Sequence, residues 1–159
     1  MKIHNTLTKK LETFKPVKTG KIGMYLCGPT VYDFAHLGHG RSAVAFDVIR
    51  RYFIYKKYDV KFVSNYTDID DKMINRASKE GVSVKELAEK IIPHYVEDYG
   101  KLNILPPDFS PKATCYIAEM ISIIEVLEKK GMAYKLEDGI YYDISKDRDY
   151  GKLSGQKLD

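Results

Sequence analysis

The alternation of apolar and polar positions changes period several times along this chain, and each change marks the edge of an element. Ile22, Met24, Tyr25 and Leu26 form a short apolar run between the turn-forming Gly20 and the Gly28-Pro29 pair, which predicts a buried strand over 22–27. From Arg41 to Lys57, Ala45, Val48, Ile49, Tyr52 and Phe53 recur at helical spacing, with Arg50, Arg51, Lys56 and Lys57 elsewhere on the wheel. An amphipathic helix with a solvated basic face is expected there. Val60 and Phe62 then alternate with Lys61 across 59–66, before the acidic cluster Asp68 to Asp71 opens another helix. Strand, helix and strand in this order predict a βαβ unit, with parallel strands and a right-handed crossover.

Further along, Ser83 and Glu86 have the spacing of a capping box, and Val84, Leu87, Ala88, Ile91 and Tyr95 continue it as one apolar face. Pro93 is expected to kink that helix. Ser110-Pro111 predicts the start of a helix carrying the stripe Ile117, Met120, Ile121, Ile124 and Leu127 and ending at Gly131, with Lys129 and Lys130 at its negative end. Glu137-Asp138-Gly139 lies between two short strand-like runs and predicts a hairpin. The closing GKLSGQKLD has no element to dock it, and one βαβ unit with two helices and a hairpin is a small inventory for a doubly wound sheet. Asp159 therefore reads as a cut in a longer protein.

Composition changes this picture little. Of the 159 residues, 44% are hydrophobic and 30% charged, the balance of an ordinary globular domain, and a net charge of +4 is by itself weak support for a polyanionic partner. Cys27 and Cys115 are far apart without C-x-x-C spacing, so neither a disulfide framework nor a self-contained structural zinc site is visible. A reducing, cytoplasmic setting is expected. The N-terminus lacks a signal-like apolar core, and no run is long enough to span a bilayer, so no membrane association is expected.

The candidate chemistry lies between the first βαβ strand and its helix. His36 and His39 are one turn apart at the predicted helix start, where imidazoles can face one side and free N–H groups attract phosphate. Gly38 between them removes a side chain and lets a flat base or ribose approach the backbone. The end of a parallel strand is where open α/β sheets bind ligands, and the combination fits an ATP site. Cys27, at the end of that strand, reads from the residues alone as a small apolar core residue. Asp68, Asp70 and Asp71 are close enough to suggest magnesium, but a helix cap and dipole partner account for them as well. Tyr32 and Asp33 either orient the loop or touch substrate, Arg41 stands near the histidines, and His4 and His94 read as surface residues.

His36-Leu37-Gly38-His39 resembles the H-I-G-H signature of class I aminoacyl-tRNA synthetases. The longer MYLCGPTVYDFAHLGHGRSAVAFDVIRRY is similar to the cysteinyl-tRNA synthetase family, as are NTLTKKLETFKP, VSNYTDIDDKMINRA, LNILPPD and PKAT in the same order. The resemblance covers essentially the whole chain. It implies an α/β fold, the N-terminal half of a Rossmann-like catalytic domain over 1–112, followed over 113–159 by the truncated beginning of a connective-peptide insertion.

That family activates cysteine with ATP and transfers it to tRNA(Cys). The resemblance assigns His36 and His39 to the ATP phosphates, Gly38 to the nucleoside, Gly28 and Thr67 to the substrate cysteine, and Cys27 to a zinc ion that reads the substrate thiol; magnesium accompanies ATP. Zinc binds thiolate far better than hydroxyl, which suits discrimination of cysteine from serine. Asp68 and Asp70 become mainly architectural. The K-M-S-K-S loop, the remaining zinc ligands and the anticodon-binding part are absent from these residues, so a missing C-terminal half, in the same or a second chain, is implied and the chain alone is expected to be inactive. Cys115-Tyr116 departs from the family pattern, and Cys115 reads as a spare thiol on a helix. The alternatives are a cysteine ligase of the same core with an amino-sugar acceptor, a small nucleotidyltransferase, against which Cys27 and TDIDDK count, and a noncatalytic module that keeps the fold.

Overall fold

After an antiparallel hairpin of β1 (Lys2–Asn5) and β2 (Lys10–Thr13), the chain enters β3 (Lys21–Leu26), crosses through α1 (Leu37–Tyr55) and returns as β4 (Asp59–Ser64). These elements belong to a computed structural model that describes residues 1–157. β3 and β4 pair in parallel, from Lys21 opposite Asp59 to Leu26 opposite Ser64, which is the expected βαβ arrangement. The hairpin β1–β2 has no counterpart in the apolar pattern. Its strands are four residues each, and its turn uses Lys9 at φ 56° instead of an Asn-Gly pair.

α2 (Asp71–Glu80) and α3 (Val84–Lys101) follow β4. Asp70 caps α2 by accepting the Met73 N–H at 3.0 Å, and Ser83 and Glu86 form the expected capping box of α3. Pro93 is accommodated inside α3, which continues to Lys101. Val31, from the loop after β3, packs with Met73, Ala77, Leu87, Ala88, Ile91 and Tyr95 into a buried cluster. Val31 and the partly buried Tyr66, which packs against that cluster, lie beyond the C-terminal ends of the parallel pair, where the candidate chemistry lies.

Two expectations are corrected here. The first concerns Arg50, expected on a solvated face: it is buried, donating to the carbonyls of Leu105 (3.2 Å) and Pro106 (2.7 Å) and to Asp108 (3.2 Å), with its guanidinium over the Phe62 ring. Asp47, also buried, accepts from Arg51 (2.6 Å) and from the Leu105 N–H (3.1 Å). A period-based reading counts charge as outward, whereas the two carbonyls and the Asp108 carboxylate compensate the buried guanidinium. The second concerns Ser110-Pro111, which does not start a helix. Phe109 and Lys112 pair in parallel with Val63 and Tyr66, and the Pro111 carbonyl accepts the Tyr66 N–H at 2.8 Å. The open edge of β4 takes up this segment, and helical backbone begins only with a 3-10 turn at Ala113–Tyr116 and then α4 (Ile117–Lys129). Cys115 lies exposed in that turn.

Residues Pro16–Tyr116 form one compact unit, and Met1–Lys15 with Ile117 onward form the other. The second holds β1, β2, α4 and the predicted hairpin, β5 (Ala133–Lys135) with β6 (Ile140–Tyr142). α4 ends where its glycine predicts, with the N–H groups of Gly131 and Met132 returning to the carbonyls of Glu128 and Leu127.

Candidate active site

His36 immediately precedes α1 in an extended conformation, and its Nδ1 accepts the Gly38 N–H at 3.0 Å. The His36 N–H in turn donates to Nδ1 of His39 at 3.2 Å. This is a capping box made of two imidazoles instead of a hydroxyl and a carboxylate. Each Nδ1 is thus an acceptor, and a neutral ring used this way carries its proton on Nε2. With ring centroids 3.9 Å apart, the pair offers two neighbouring Nε2–H donors. Burial, and then the charge of His36, hold His39 below its ordinary value of 6.5, so His39 favours this neutral form. The edge of Tyr95 meets His39 at a centroid distance of 5.5 Å.

The expected backbone cradle for phosphate is smaller than the sequence suggests. The Gly38 N–H is held by the His36 ring, and those of His39 and Gly40 point to the His36 carbonyl at 2.9 and 3.3 Å. These three amides are thus already engaged within the turn. Gly38 has a role of its own in this: a Cβ there would come within 2.8 Å of the His36 ring, so bare backbone lets that ring fold over the turn.

Cys27 follows the last residue of β3 as an exposed thiol and lines a cavity of about 540 Å³ together with Gly28 and His39. The remaining wall comes from α1 at Ser42 and Ala43, the end of β4, the end of α3 and the 104–107 segment, and it is mostly apolar. His36, Gly38 and Thr67 are outside the lining. His36 and Gly38 reach it through His39, and Thr67 through a side chain that the apolar pattern had not marked. Asn65 accepts the Gly28 N–H (2.9 Å) and the Tyr25 hydroxyl (2.9 Å) on Oδ1, and donates from Nδ2 to the Thr67 hydroxyl (3.2 Å). The only sequence signal for it was a polar residue just beyond the last strand position.

The acidic cluster is architectural. Besides the cap by Asp70, the buried Asp68 accepts from the N–H (3.0 Å) and hydroxyl (2.6 Å) of Thr114. Among the described residues, no three His, Cys, Asp or Glu side chains come together to hold a metal. Asp33 pairs with Arg76 at 3.7 Å, and Tyr32 receives the Lys72 ammonium over its ring, so the signature loop is tied to α2. Arg41 is exposed in the first turn of α1, and His94 meets Phe34 edge-on.

Solved structures share the fold of this parallel pair and its crossover helix. Methionyl-tRNA synthetase of Mycobacterium tuberculosis, in complex with methionyl-adenylate, matches with TM-score 0.65 and 21% identity, over 72% of this chain and 23% of that one. The LeuRS–tRNA–LeuAMS complex of Agrobacterium radiobacter K84 matches with TM-score 0.64 and 20% identity, over 76% of this chain and 16% of that one. Residues 13–159 match the family described as tRNA synthetases class I (C) catalytic domain, and the chain belongs to that family. Relatives named cysteine–tRNA ligase are 56% identical in Thermodesulfovibrio yellowstonii and 52% in Finegoldia magna, over all of this chain and 34% and 35% of theirs. The chain thus spans about a third of the length of the curated relatives it matches.

Proposed function

We propose that this chain is the N-terminal half of the catalytic domain of a cysteine–tRNA ligase over 1–112, with 113–159 opening the connective-peptide insertion, and that it acts in the cytoplasm. The observation that carries the reading is that Cys27, Gly28 and His39 line one cavity beyond the ends of two parallel strands. In the first half-reaction a carboxylate oxygen of cysteine attacks the α-phosphorus of ATP, the bond to the bridging oxygen breaks, and cysteinyl adenylate and pyrophosphate form. The Nε2–H groups of His36 and His39 donate to phosphate oxygens as charge builds toward pyrophosphate, and a ring that already carries its proton on Nε2 does so without a proton being moved. Gly38 lies under the nucleoside, and Gly28 and Thr67 stand against the substrate cysteine. Transfer to the tRNA(Cys) terminus follows.

The donor chemistry at Cys27 suits zinc in part: it is one soft, exposed thiol at the cavity, and because no three His, Cys, Asp or Glu side chains come together among the described residues, a full ligand set needs residues from outside them. Cys27 would hold the ion, and bound zinc would supply the preference for a thiol over a hydroxyl. Magnesium travels with ATP.

The test is ATP–pyrophosphate exchange in the enzyme that carries this chain together with the region its relatives add. Cysteine supports exchange and serine does not. His39→Ala lowers the rate about a hundredfold, as for loss of one preorganised donor, while cysteine binding is retained. Cys27→Ser lowers the zinc retained per protein molecule, measured by metal analysis. Exchange that ignores cysteine, or is unchanged in His39→Ala, overturns the reading.

A further inference from the structure

Asn65 joins the two strand ends that carry the substrate-facing residues, and the direction of its bonds is determined. The Gly28 N–H can only donate, so the oxygen of the Asn65 amide must face it, at 2.9 Å. The amide nitrogen is thereby turned to Thr67, whose hydroxyl receives the bond at 3.2 Å and keeps its own proton free to donate elsewhere. The Tyr25 hydroxyl, donating to the same Oδ1 at 2.9 Å, fixes the amide from a third side. The backbone beneath is equally tight. A Cβ on Gly28 would lie 1.5 Å from the Asn65 carbonyl oxygen, the Thr67 N–H donates to the Pro29 carbonyl (3.0 Å), and the Val31 N–H donates to that of Thr67 (3.2 Å).

We infer that Asn65 is a positioning residue for amino-acid recognition: its amide holds the Cys27-Gly28 segment and the Thr67 hydroxyl as one unit and sets which way that hydroxyl donates. The inference rests on the functional reading above, and it separates the amino-acid half of the site from the nucleotide half. The capping histidines have their own supports, the Gly38 N–H and each other, and neither of these bonds passes through Asn65. Loss of the amide therefore damages cysteine binding and leaves ATP binding in place.

The experiment measures cysteine and ATP KM values by pyrophosphate exchange in the same full-length enzyme. Asn65→Ala raises the cysteine KM about tenfold, the equivalent of one or two buried hydrogen bonds, and changes the ATP KM by less than about twofold. Because Asn65 acts in part through Thr67, adding Thr67→Val to Asn65→Ala costs less than the product of the two single effects. If Asn65→Ala fails to fold, Tyr25→Phe strips one bond from the amide and leaves it in place, with a rise in cysteine KM of about threefold and no change for ATP. An unchanged cysteine KM, an equal rise in both KM values, or multiplying effects of the two single variants overturns the inference. A parent enzyme without cysteine-dependent exchange overturns the functional reading, and this inference with it; a parent with such exchange and an insensitive Asn65→Ala overturns the inference alone.

Discussion

Helices α3 and α4 carry apolar stripes of similar spacing, yet α3 buries Leu87, Ala88, Ile91 and Tyr95, whereas no residue of α4 is buried. The same contrast extends to the units that contain them. Every buried hydrophobic residue described lies between Ile22 and Tyr95, inside the Pro16–Tyr116 unit. The unit of β1, β2, α4, β5 and β6 is shaped by hairpin pairing and a glycine helix end instead. A stripe states which face of a helix can be covered. Whether it is covered depends on a partner surface, and for α3 that surface is supplied by α2 and the Val31 loop.

The contrast can be broken most strongly at Tyr95, which is 1% exposed and also meets the His39 ring. Tyr95→Ala should cost about 3–5 kcal/mol of unfolding free energy, read by denaturant melts, because it leaves a large cavity in the buried cluster. A cost below about 1 kcal/mol would mean that this cluster is no more consolidated than α4.

A smaller effect is expected from pH. His39 titrates below its ordinary 6.5 in the fold, mainly through burial and then through His36. As pH falls through that ordinary value, the unfolded chain takes up the proton while folded His39 resists it, so stability is present above it and declines as pH drops. Proton uptake at Nδ1 would also cost the acceptor of the His36 N–H, one half of the capping box of α1. Melting temperatures should fall from pH 7.5 to pH 5, and His39→Gln should flatten that slope; a slope that survives the substitution would remove His39 as its source.

The smallest effect belongs to α4. Ile123 is 62% exposed, and Ile123→Ser should change stability by no more than about 0.5 kcal/mol, against the several expected at Tyr95. A loss above about 2 kcal/mol would show a buried role that its exposure in this structure does not express.

Much of the architecture was readable because it is local. The strand at Ile22 to Leu26, its parallel partner, the caps at Asp70 and Ser83 and the Gly131 helix end follow from residue spacing and short-range hydrogen bonding. The β1–β2 hairpin escaped notice because four-residue strands with a lysine in the left-handed turn carry almost no period. Arg50 and the 109–112 segment were misread because their partners, the 105–108 carbonyls and carboxylate and the edge of β4, are remote in sequence.

By itself the amino-acid sequence determined where the elements lie and which residue types meet near the strand end: a thiol, two imidazoles and a glycine within residues 27–39. It could do so because periodicity, caps and motif spacing are properties of neighbouring residues. Only tertiary structure decided that the imidazoles spend their Nδ1 atoms on the helix start, that Arg50 turns inward, and that Asn65 ties Gly28 to Thr67. The orientation of a hydrogen bond and the burial of a charge depend on groups that folding brings together from distant parts of the chain.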